Sequence, residues 1–196
     1  MLDSRDRSQF LNFAGLFEGG LALLALGVGW LVGIDPVERL NWSWQAVGWG
    51  VLGTVPTFAL FYVTYRYPIG ELRKIREFLA RELGPSLANL RWLDLILLSL
   101  LAGVAEEVLF RGLLQPWLGA TWSNVLFGAV HWITPLYALL AFVIGSYLSW
   151  LMAVIEPSNL LTPIVTHALH DYLAFLMIVA IHRRESATSA TSENAD

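Results

Sequence analysis

A chain of 196 residues is the length of one domain, but 56% hydrophobic and only 14% charged residues, with a mean hydropathy of +0.58, exceed what a water-soluble core of that size requires. A net charge of −4 with no basic surface gives a nucleic acid nothing to bind, and the absence of cysteine excludes disulfides and thiolate metal sites. The solvent that suits this composition is lipid.

In chain order, Asp3, Arg5, Asp6 and Arg7 lead into an apolar stretch from Phe10 to Ile34, interrupted by Glu18. It is too long for a secretory signal and has no clear small-residue cleavage site, so it predicts a retained first transmembrane helix. A second stretch, Trp44 to Tyr65, carries no charge. Either is long enough to cross roughly 30 Å of hydrocarbon. Next come Arg66, Arg73, Lys74, Arg76, Arg81 and Arg91, with Glu71, Glu77 and Glu82 between them. They are set among Leu72, Ile75, Phe78, Leu79 and Leu83 at helical spacing. This pattern predicts an amphipathic helix at the membrane surface, ended by Gly84-Pro85.

A third apolar stretch runs from Leu95 into Glu106-Glu107. The stretch Leu118 to Ile155 divides at Thr134-Pro135, because proline lacks an amide donor and disfavours helix just before it. A sixth spans Leu160 to Ile181, and the polar residues after Arg184 have nothing to bury. The expectation is an all-α polytopic membrane bundle of about six transmembrane helices with an amphipathic linker helix. The basic linker predicts a cytoplasmic loop, with both termini on that same side. If the short fourth segment failed to cross, every later element would reverse. Nine tryptophans, among them Trp30, Trp42, Trp44, Trp92, Trp117 and Trp122, lie mostly near segment ends, where they read as headgroup anchors.

Ionisable side chains inside a bilayer are costly unless paired, so their clustering is a functional signal. Here they fall in three places: Glu106, Glu107 and Arg111; Phe127 to His131; and His167, His170 and Asp171. Glu107 and Arg111, four apart with the acid first, predict an intrahelical ion pair, a structural role. Glu106 is left over, a candidate general base. His167 and Asp171 share a face of the sixth helix, while His131 comes from another, and Phe127 one turn earlier is placed to pack beneath its ring. By itself His131 would read as a packing residue, and His170, on a different face from Asp171, as reaching the interface. Glu18 is unassigned.

These motifs resemble the CPBP intramembrane proteases, a family that includes CAAX prenyl endopeptidases and bacteriocin-processing or self-immunity proteins. The family shows Glu-Glu-x-x-x-Arg, Phe-x-x-x-His and His-x-x-x-Asn or Asp on successive helices. Glu106 to Arg111, Phe127 to His131 and His167 to Asp171 match in that order, within roughly Leu95 to Ile181. The resemblance implies an endopeptidase acting on a membrane-associated peptide or protein. Glu106 and His167 would activate a water, and His131 with Asp171 would stabilise the oxyanion. Eukaryotic members carry Asn at the position of Asp171, and an ionised carboxylate lacks the amide donor that Asn supplies.

The organisation that follows is two transmembrane helices in 1–66, a linker in 67–91, a CPBP-like catalytic bundle in 92–184 and a disordered tail in 185–196. No cofactor is required. The alternative mechanism is a metallopeptidase, with zinc held by His131, His167 and Glu106 or Asp171, although the helical His-Glu-x-x-His spacing is absent. Competing classes are a catalytically silent immunity or interaction protein, a proton-coupled transporter and a b-type haem protein. One geometric tension stands. Glu106 is 14 residues beyond Trp92, about 20 Å of helix, which places the pocket towards the face opposite the linker, whereas CAAX endopeptidases open to the cytoplasm.

Overall fold

The computed structural model describes residues 4–154 and 159–193, and among them there is no strand. The helices are α1 (Ser4–Val32), α2 (Trp44–Arg66), α3 (Glu71–Phe78), α4 (Gly84–Ala88), α5 (Trp92–Glu107), α6 (Gln115–Leu118), α7 (Ala120–Val130), α8 (Pro135–Val154) and α9 (Leu161–Glu193). Wider π-helical turns join α3 to α4 at Leu79–Leu83 and α5 to α6 at Val108–Leu114. Large apolar side chains face outward, Leu16 at 78% and Trp30 at 82% exposure among them, and all nine tryptophans are exposed. Such a surface is stable only against lipid.

Four segments are long and apolar enough to cross alone: Arg7–Val32, Trp44–Arg66, Pro135–Val154 and Leu161–Ala187. The third expected crossing is a composite of α5, the π turn and α6. The fourth is not a full crossing. With 11 residues, α7 spans about 16 Å, half the hydrocarbon thickness, so the expected count of six is not exact. Two local features cut it short. Gly119, at φ 85°, turns the chain sharply after α6, a conformation open to glycine and strained for other residues. At the other end α7 stops at Val130, and Thr134 Oγ1 accepts the Tyr137 amide at 3.1 Å to start α8 at the proline, as the sequence predicts.

The short α7 nevertheless does not reverse the later elements. Arg7 Nε donates to Asp94 Oδ2 at 2.6 Å, so α1 and α5 begin together and run parallel. Gly145 O and Ser149 Oγ on α8 bond Arg111 and Gln115 beyond the end of α5, while Tyr137 at its start packs against the core cluster that contains Leu79 and Ile178. The chain has therefore returned to the linker end before α8 begins. Arg76 Nη2 donates to Glu185 Oε1 at 2.9 Å, which brings the late part of α9 to the same end.

Close helix contacts rest on small residues. Ala46, Gly50, Gly53, Thr54 and Thr57 are buried on α2, and Thr166 Oγ1 of α9 bonds Gly50 O at 3.0 Å. A β-carbon at Gly50 would stand 2.6 Å from Val165 Cβ, and one at Gly103 would stand 2.9 Å from the Ala168 amide nitrogen.

Two expectations along the chain need correcting. The linker helix does not end at Gly84-Pro85. Pro85 sits in the first turn of α4, where no amide donor is missed. Leu72, Ile75, Leu79 and Leu87 cover the end of the bundle. The expected disordered tail is helical as far as Glu193. Extending an existing helix avoids the cost of nucleation, and the Arg76–Glu185 pair ties its beginning. Positions 194–196 of that tail lie outside the described residues.

Candidate active site

Glu107 and Arg111 are completely buried, and their ion pair is 2.8 Å long. Arg111 Nη2 also donates to Gly145 O at 2.8 Å and reaches Asn124 Oδ1 at 3.4 Å. Asn124 Nδ2 donates to Ser149 Oγ, which donates to Gln115 Oε1. The guanidinium lies 4.7 Å from the centroid of the Phe127 ring. A buried charge pair is tolerable only with such additional partners.

The same oxygen of Glu107 accepts a second bond, from His167 Nδ1 at 2.7 Å. A carboxylate already holding Arg111 accepts, so His167 carries its proton on Nδ1 and turns Nε2 into the site. His131 arrives at the same arrangement separately. It caps the C-terminus of α7, and its Nδ1 donates to Phe127 O at 2.7 Å. Because a carbonyl oxygen only accepts, Nε2 of His131 also faces inward.

Both inward nitrogens meet Glu106. Its Oε2 is 3.6 Å from His131 Nε2 and 4.0 Å from His167 Nε2, and has no hydrogen-bond partner among the described residues. These gaps exceed direct hydrogen bonds and leave room for a bridging reactant such as water. Asp171 Oδ2 lies 3.5 Å from His167 Nε2. Phe127 packs tilted on His131 with centroids 4.5 Å apart and edge-on to His167 at 5.9 Å, so it spaces the two imidazoles.

The structure thus brings Glu106, His131, His167 and Asp171 together around one point, with Glu107, Arg111 and Phe127 behind them. The link from Glu107 to His167 is not foreseen by the sequence, which offers Asp171 as the partner of that ring. The two residues are 60 positions apart on different helices, and no local spacing reports the contact. Asn124, Ser149 and Gln115 are also missed, though polar side chains in an apolar stretch are a readable signal. Among the described residues no group of three or more His, Asp or Glu side chains is placed to hold a metal ion.

A cavity of about 100 Å³ adjoins the site. His131, His167 and Asp171 line one part of it. It continues past Thr57, Phe61 and Tyr65 of α2 to Ile75 and Arg76 of α3. These groups are deep, and the space beside them leads back to the linker end. His170 belongs to this wall, edge-on to Phe61 at 5.9 Å, rather than to the interface.

Residues 88–173 match the family model described as type II CAAX prenyl endopeptidase Rce1-like. That segment is Rce1-like. This agrees with the resemblance to the CPBP proteases, and the matched Rce1-like segment includes every residue from Glu106 to Asp171. The matched segment is CAAX-protease-like at the level of that family model, and the four apolar helices mark an integral membrane protein. No curated protein and no solved structure matches the chain.

Proposed function

We propose that the chain is an intramembrane endopeptidase that hydrolyses a peptide bond of a membrane-associated substrate with a water activated by Glu106. The observation that carries this reading is the convergence of two fixed imidazole Nε2 atoms on the free Oε2 of Glu106. A water between them gives its proton to Glu106 while His167 Nε2 orients it, and its oxygen adds to the scissile carbonyl carbon. The oxyanion is met by His131, which offers an N–H there when its ring is protonated, Nδ1 being committed to Phe127 O. Glu106 then passes its proton to the departing amine as the C–N bond breaks, so the carboxylate is regenerated.

Glu107 and Arg111 do not react in this scheme. They hold His167 in one tautomer and orientation, a task that permits no slack in a site where small misplacements are costly. The basic linker is placed on the cytoplasmic side by its arginines, and the cavity then admits substrate from that side. The reading is tested by comparing membrane proteins of cells carrying wild type with those of cells carrying Glu106→Ala. Substrates accumulate uncleaved in the variant, and identical inventories at equal expression would contradict the proposal.

A further inference from the structure

α1 lies outside the Rce1-like segment, yet it carries a carboxyl into the bundle. Glu18 is 8% exposed, and its Oε2 has no hydrogen-bond partner among the described residues. A carboxyl in that position on a lipid-facing helix is costly, and packing alone would favour Leu or Met there. The register of α1 against α5 locates it. The two helices run parallel from the Arg7–Asp94 contact, and the eleven positions from Arg7 to Glu18 match the eleven from Asp94 to Ala105. Helices with equal rise thus bring Glu18 to the level of Glu106. Glu106, Asp171 and His167 are titratable groups within its electrostatic reach. Further along α1, Ala25 is fully buried in the cluster containing Phe110 and Phe127, so the helix stays against the site below Glu18.

Two buried carboxyl oxygens without partners, Glu18 Oε2 and Glu106 Oε2, therefore stand at one depth in a medium of low dielectric. Two like charges there are unfavourable together, whereas one proton between two carboxyls removes the repulsion and provides a donor. We propose that Glu18 is a positioning residue that shares a single proton with Glu106, directly or through one water, and so fixes the orientation of the carboxylate that activates the hydrolytic water. This rests on the peptidase reading for its effect on rate, while the shared proton itself does not.

The test uses full-length protein in lipid, with Glu18→Gln and Glu18→Leu beside wild type. An amide keeps the shape and the donor, so Glu18→Gln retains a rate within about threefold of wild type, whereas Glu18→Leu loses roughly tenfold or more in kcat with KM nearly unchanged. Infrared difference spectra of wild type against Glu18→Gln show loss of one protonated-carboxyl C=O band, a readout independent of activity and of whether the leucine variant folds. Full activity in Glu18→Leu would overturn the proposal, as would a Gln variant as impaired as the Leu variant, or spectra with no carboxyl difference. If wild type itself cleaves nothing while the band is lost in Glu18→Gln, the peptidase reading fails and the shared proton stands.

Discussion

Glu107 accepts from Arg111 Nη1 and His167 Nδ1 through one oxygen, whereas Glu106 Oε2 accepts from neither. Adjacent carboxylates therefore have different consequences when altered. Glu106→Gln removes the proton acceptor and nothing structural. Activity is expected to fall by about 10² to 10⁴-fold with an unchanged melting temperature, measured on the same purified sample. Arg111→Ala strands the fully buried Glu107 charge, and breaking a buried pair in this way costs about 3 to 5 kcal/mol. Its melting temperature drops before any question of rate arises. Asp171 permits a finer distinction. Lying 3.5 Å from His167 Nε2, it serves as a polar neighbour, and Asn is a polar side chain of the same shape. Asp171→Asn keeps activity within about tenfold of wild type, and Asp171→Leu, which leaves the ring without that neighbour, is inactive. A rate for the Asn variant as low as that for Leu would show that the negative charge itself is required.

The helices follow the apolar spacing closely where a segment is long and uninterrupted, as in α1, α2, α8 and α9. The sequence is less informative where a short contact decides the outcome. The fourth segment reads as a crossing from its apolar residues, but the Gly119 turn and the early stop at Val130 leave α7 too short to be one. Likewise Gly84-Pro85 looks like a stop, because the sequence does not show that a π turn delivers the proline to a first turn, where it is tolerated. At the site, residue types and spacing pick out Glu106, His131, His167 and Asp171. They cannot reveal that Glu107 holds His167, since that bond joins α5 to α9.

Those interhelical contacts have their own test. A β-branched side chain at Gly50 or Gly103 meets Val165 or the Ala168 backbone inside contact distance, and overpacking of this kind costs about 1 to 3 kcal/mol. Gly50→Val and Gly103→Val are expected to melt lower than wild type. Gly27→Ala, with nothing within 4 Å of the added carbon, is expected to melt no lower. Equal melting temperatures for all three would show that α9 does not pack this closely on α2 and α5.

At the scale of the whole molecule, the beginning of α1, the linker and the late part of α9 occupy one end of the bundle, held by Arg7–Asp94 and Arg76–Glu185. With the arginine-rich linker on the cytoplasmic side, reporters fused after Asp196 and inserted between Arg66 and Glu71 are expected to be active on the cytoplasmic side alone. Activity on opposite sides would break the arrangement. The cavity from His131 to Arg76 runs between the site and the linker end of the bundle. The central claim is that Glu106 activates a water to cut a peptide bond. It is tested most directly by incubating purified wild type and Glu106→Gln in lipid vesicles with solubilised membrane proteins in ¹⁸O-water, and sequencing the new carboxyl termini. The account predicts ¹⁸O-labelled termini with wild type and none above background with Glu106→Gln at the same folded concentration; equal labelling by the two proteins would contradict it.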